Sequence, residues 1–286
     1  GEGFSLTIRD PYSSDPNQWD SKTGWRPSAL VGGSPGYDDS GMLPAPGSIV
    51  INEVLAHSHA EQPDWIELYN TTDEPIHIGG WFLSDDASEP NRTKYEIAEG
   101  AVIEGHDYLV FYEDQHFGPA ATGPGIRHTP FGLSEGGELV HLQSAADGVL
   151  TGYVAMEDFG ASATGVSFGR YEKESLSGGY DFVLMAEATE NELNSDPLVG
   201  PVMMTEIMYR PGSTNAGGEF IELHNITSQT VFLQDLVTTP LSADPFDIEY
   251  EFVPWRFTNG IDFTFPLNTS IPADGYLIVA EDPAAF

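Results

Sequence analysis

Hydrophobic and polar positions alternate along this chain in short runs, each closed by Gly, Pro, Asp or Asn. The runs "SIVINEVLA", "DWIELYN", "DYLVFY", "GELVHLQ", "GVSFGRY", "PVMMTEIMY", "EFIELHN" and "GYLIVAE" are rich in Val, Ile, Tyr, Phe and Trp. Period-two alternation bounded by turn residues predicts antiparallel strands of a sandwich or barrel. Nowhere do apolar residues keep helical spacing over three turns with sensible caps, so the expected class is all-β. In "DWIELYN", alternation sets Ile66 and Leu68 on one face and Trp65, Glu67 and Tyr69 on the other. In "EFIELHN", Ile221 and Leu223 oppose Phe220, Glu222 and His224. The aliphatic pairs are expected to fill the core, and the central glutamate to be partly covered beside its ring-bearing neighbours.

The two runs are copies of one segment. Glu53 in "INEV" aligns with Glu206 in "MTEI", Glu67 with Glu222, and Tyr108 in "IEGHDYLVF" with Tyr276 in "IPADGYLIV". The second copy carries a longer insertion around "FDIEYEFVPWRFTNGIDFTF". A partial third match links "GEGFSLTI" at the front to "GVSFGRYE" at 165–172. The expected organisation is the tail of one unit in 1–40, a complete unit in 48–196, and the front of another in 201–286. Gly/Pro/Asp-rich linkers, "GGSPGYDDSGMLPAPG" and "NELNSDPLVGP", join these tandem parts.

Laid end to end, "INEV…DWIELYN…IHIGGWFLSDD…IEGHDYLVFY…FGLSEGGELVHL…GVSFGRY" resembles the lamin tail domain family in its bacterial extracellular form. The second copy, "MTEIMY…GEFIELHNIT…FLQDL…IPADGYLIVAEDPAAF", resembles the first half of that domain, and the front piece resembles its end. In the second copy "QDLVTTPLSAD" replaces "IGGWFLSDD". The resemblance implies tandem immunoglobulin-like β-sandwich domains. It also implies a non-catalytic module of large secreted or surface proteins, sometimes placed beside hydrolase domains.

Charge narrows the partners. Across 286 residues, 45 acids face 10 bases, a formal charge of −35. Such a surface repels phosphate backbones and anionic lipid, so nucleic acid is excluded as a partner and membrane insertion is not expected. No apolar run reaches the length of a membrane span. The absence of cysteine removes thiol chemistry and disulfide staples. A cysteine-free, acidic, strand-rich chain suits a prokaryotic extracellular or cell-surface protein.

Candidate chemistry is sparse. Glu53 and Glu67 come close if their strands pair, and so do Glu206 and Glu222. Two adjacent carboxylates need hydrogen-bond donors, an arginine, a shared proton or a cation such as calcium. Asp85, Asp86 and Glu89 in "LSDDASEP" form an oxygen-rich loop open to the same two readings, a calcium site or a hydrogen-bonded turn. So do Asp10, Asp15, Asn17 and Asp20 in "DPYSSDPNQWD". His57 and His59 offer two zinc ligands, with no third forced by spacing. Nucleophile elbows, P-loops, dinucleotide glycines and zinc-protease helices are absent, so no enzyme is expected and no cofactor is required. The Asn-x-Ser/Thr triplets at Asn70 and Asn225 end the same strand in both copies, which favours a turn over a glycan.

Two functions follow as expectations. The first is a structural or interaction protein whose partners are other copies of itself or neighbouring repeats. In it the front strand, with Phe4, Leu6 and Ile8, is donated head to tail to the 201–286 unit of another subunit, making a filament. The second is an accessory module that binds carbohydrate or protein for a larger secreted hydrolase, with Trp19, Trp25, Trp81 or Trp255 stacking on polysaccharide. The opening "GEGFSLTIRD" reads as a processed or excised end, so the chain is expected to be either a fragment of a longer repeat protein or a processed subunit.

Overall fold

A computed structural model describes residues 3–173, 179–212, 218–240, 248–257 and 260–283. The chain divides into two compact units, Gly1–Leu198 and Val199–Phe286. The first contains β1 (Phe4–Ile8), β2 (Trp25–Val31), β3 (Ile49–Leu55), β4 (Trp65–Asn70), β5 (Ile76–His77), β6 (Phe82–Ser84) and β7 (Tyr95–Glu96). It continues with β8 (Val102–Ile103), β9 (Tyr108–Tyr112), β10 (Ile126–Arg127), β11 (Gly137–Ala146), β12 (Val149–Gly160), β13 (Phe168–Glu172) and β14 (Tyr180–Leu184). Helix is confined to short pieces such as Asn17–Asp20.

A sheet ordered β14-β13-β3-β4-β9 faces one ordered β1-β2-β12-β11-β6-β7-β10, and the protein is an all-β, immunoglobulin-like sandwich. Ile49, Ile51, Val54, Ile66, Leu68 and Phe111 of the first sheet pack against Leu83, Tyr95, Val140, Leu142 and Tyr153 of the second. Ile66 and Leu68 are fully buried, as their alternation requires. Tyr153 joins the two sheets. Its hydroxyl donates to Ile49 O at 2.7 Å and accepts from Ile49 N at 2.7 Å, and its ring lies 5.1 Å from that of Trp81. Trp81 is therefore core.

Strand β3 is buried along its whole length. Strict alternation would send Glu53 inward with Ile49 and Ile51. A bulge prevents this: Ile51 pairs with Leu68 and Glu53 with Glu67, leaving Asn52 as the extra residue. The bulge re-phases the strand, turning Val54 into the core and Glu53 onto the opposite face.

The front segment 1–40 belongs to the first compact unit. The sequence pattern instead reads it as the end of another domain. In the fold, β1 and β2 form an antiparallel hairpin, and Leu30 of β2 pairs with Thr151 of β12, extending the second sheet by two strands. Edge pairing satisfies backbone groups that an isolated hairpin would leave open.

The second unit contains β15 (Val202–Met208), β16 (Phe220–Asn225), β17 (Val231–Phe232), β18 (Gln234–Pro240), β19 (Ile248–Pro254), β20 (Ser270–Ile271) and β21 (Tyr276–Ala280). Its main sheet is ordered β15-β16-β21, the counterpart of β3-β4-β9. The bulge recurs, since Met204 pairs with Leu223 and Glu206 with Glu222. A small core gathers Leu223, Leu233, Phe265 and Ile271, with Ile221 packed beside it.

Candidate functional site

Glu53 and Glu67 are fully buried, not merely shaded by their neighbours. The cover is the segment that follows β14, which folds back over the outer face of the first sheet. Thr189 N donates to both oxygens of Glu53 at 3.1 and 3.2 Å, and Thr189 Oγ1 donates to Oε2 at 2.7 Å. Ser167 Oγ supplies a further donor to Oε1. Asn191 N donates to Glu67 Oε2 at 2.6 Å, and Asn52 Nδ2 to Oε1 at 2.7 Å. Asn191 reaches that position with φ of 59°, in the left-handed region that asparagine tolerates better than most residues. Asn194 ties the same cover down, donating to Arg170 O at 2.8 Å and accepting from Asn52 Nδ2 at 2.7 Å.

Burial dominates the titration of this pair. Loss of solvent raises both carboxyls, and the hydrogen bonds oppose it only in part. Glu67 is pushed up to about 7, first by burial and further by the nearby charges of Glu53 and Glu190, against the pull of Asn52 and Asn191. The two acids fasten a loop to a sheet.

The other acids read as candidate cation ligands lie elsewhere, with partners of their own. Asp85 pairs with Lys94 and Glu89 with Arg92. Asp86 accepts from Ser88 N and Asn91 Nδ2, both at 2.8 Å, and these bonds hold its carboxyl down at about 2. Asp10 and Asp15 close turns through Tyr12 N and Asn17 N. His57 directs Nδ1 to Ser162 O at 3.0 Å and Nε2 to Thr164 Oγ1 at 2.9 Å. Among the described residues no three His, Cys, Asp or Glu side chains come together as a metal site. Glu53 and Glu67 do meet, and the loop acids do not join them.

The asparagine ending each glutamate strand is a buried turn residue. Asn70 Nδ2 donates to the carbonyls of Glu74, Ile103 and Glu104 at 2.8, 3.0 and 3.1 Å. Asn225 Nδ2 repeats this with Gln229, Ile271 and Pro272 at 2.7, 2.9 and 2.8 Å. Both side chains are fully buried, which explains the paired triplets without a glycan.

In the second unit the same site stands uncovered. Glu206 is exposed and Glu222 half-buried, and Glu222 Oε1 accepts from Thr205 Oγ1 at 2.7 Å. Where β3 has β4 on one side and β13 on the other, β15 pairs only with β16 among the described residues. Its Met203, Met204 and Ile207 are 40%, 45% and 55% exposed, against complete burial of the matching strand in the first unit.

The fold and this site define an immunoglobulin-like interaction module. Residues 43–156 match the family described as Lamin Tail Domain, so this stretch of the chain is similar to that family. No curated protein and no solved structure matches the chain. Among the described residues no helix is long and apolar enough to cross a membrane.

Proposed function

We propose that the chain is a non-catalytic structural protein of an extracellular or cell-surface assembly, joined to other copies or to neighbouring repeats through open sheet edges. The observation that carries this reading is β15, an edge strand with a row of exposed Met and Ile side chains on an otherwise strongly acidic chain. Exposed apolar edge strands are templates for strand addition, and natural proteins otherwise blunt them. A charge of −35 opposes self-association at low salt, so assembly strengthens as salt screens the repulsion.

Light scattering across salt and protein concentration tests the reading. The full chain associates at high salt, and Ile207→Lys, which places a charge on the edge, returns it to monomer. A monomer at every concentration and salt overturns the proposal.

A further inference from the structure

The segment that covers the glutamate pair carries a third acid between its two anchors. Thr189 N is held by Glu53 and Asn191 N by Glu67, so Glu190 is fixed from both sides. Its Oε1 accepts from the Tyr112 hydroxyl and, at 3.4 Å, from Asn191 Nδ2. A small apolar cluster stands here apart from the main core: Leu55, Trp65 and Val110 are buried, and Tyr112 packs beside them. Pro63, Trp65, Tyr112 and Glu190 line a cleft of about 260 Å³ at this cluster. Gln62 and Pro63 also line a second cleft, of about 360 Å³, so the two adjoin.

Trp65 is 4% exposed, yet its indole N–H meets no acceptor among the described residues. That N–H is not one of the fully sealed polar atoms, so it keeps its access through the cleft that the ring lines. A buried tryptophan ordinarily finds a partner for this donor. The second unit shows that the sheet itself does not require these rings. Trp65 pairs with Tyr112 across β4 and β9, and Phe220 with Ala280 at the equivalent place across β16 and β21. The glutamates recur there as Glu206 and Glu222, but the indole and the phenol do not. What both copies keep serves the fold. The Trp65–Tyr112 pair, kept by one copy alone, serves something else.

We propose that this cleft binds one ring of a neutral saccharide. A sugar ring presents hydroxyls that both accept and donate, together with an apolar face. One hydroxyl accepts from Trp65 Nε1–H, another donates to Glu190 Oε2, and the apolar face lies against the Tyr112 ring. Both clefts are close to the lower end of the roughly 300–1,000 Å³ of small-molecule sites, room for about one ring each. Their junction at Gln62 and Pro63 suits a chain of rings over a single sugar. At −35 the chain repels acidic polysaccharides, which leaves a neutral glycan. The site lies within the first unit and does not depend on association between copies.

The full-length chain is applied to an array of neutral and acidic oligosaccharides, and titrated in parallel with oligolysine, which an acidic rim also attracts. Binding to neutral glycans is expected. The best of them is then titrated by calorimetry against two variants. Trp65→Phe removes the N–H and keeps a ring, the residue that the second unit carries at this place. Glu190→Gln keeps the shape and removes the charge. Each is expected to weaken binding about tenfold with the wild-type melting curve retained. Failure to bind any neutral glycan overturns the proposal, as does binding confined to acidic glycans or to oligolysine. Neutral-glycan binding that both variants leave unchanged overturns this cleft as its site.

Discussion

Glu53 and Glu67 sit directly opposite each other on neighbouring strands, both without solvent exposure, each holding a different residue of one loop: Thr189 for Glu53 and Asn191 for Glu67. Two carboxylates in such a place would repel if both were charged. Hydrogen-bond donors to both, and a proton affinity that burial raises in both and furthest in Glu67, resolve the conflict.

A pH dependence follows. Burial raises the Glu67 carboxyl to about 7, above its ordinary value of 4.5. The folded state therefore binds more protons than the unfolded state between those values. Stability is fullest below about 4.5 with respect to this group and falls as pH rises to about 7, by roughly 3 kcal/mol. Denaturant melts of the first unit from pH 4 to 8 measure this, and Glu67→Gln flattens the slope. A wild-type slope of the opposite sign, unchanged in the variant, would rule the account out.

The core faces of β4 make a second expectation. Ile66→Ala or Leu68→Ala removes fully buried methyls from the centre of the sandwich. Each is expected to cost about 2–5 kcal/mol. Equilibrium unfolding checks the values, and losses below about 0.5 kcal/mol for both would mean that the strand faces the other way.

Asn70→Ala strips three buried or part-buried carbonyls of their donor at once. A loss of about 2–4 kcal/mol is expected from the first unit, larger than for an exposed turn residue. Asn225→Ala has the equivalent effect on the second unit. Expression in a glycosylating host, read by mass spectrometry, should leave Asn70 and Asn225 unmodified.

Tyr153→Phe tests the bridge between sheets. The hydroxyl serves both backbone groups of Ile49, and burial raises its own pKa to about 12, so it remains a neutral donor and acceptor. Removal is expected to cost about 1–3 kcal/mol with the fold retained. A melting curve identical to wild type would show that the two bonds contribute nothing.

Alternation alone determined a good deal about this protein. Period two along "DWIELYN" and "EFIELHN" selected Ile66, Leu68 and Leu223 for burial, because neighbouring side chains on a strand must face opposite ways. The likeness of residues 43–156 to the lamin tail domain family was legible too, in the order of short motifs across the central unit. The bulge at Asn52 was not. An extra residue exists only relative to the strand opposite, so the facing of Glu53 waits on pairing between β3 and β4. Nor was the depth of the glutamates legible, since Thr189 and Asn191 lie far along the chain and reach them only when the loop after β14 folds back. The same holds for the front segment, whose attachment through Leu30 and Thr151 joins residues distant in sequence. Local periodicity decides which face of a strand is apolar. What covers the other face is decided by long-range packing, and only the tertiary structure contains it.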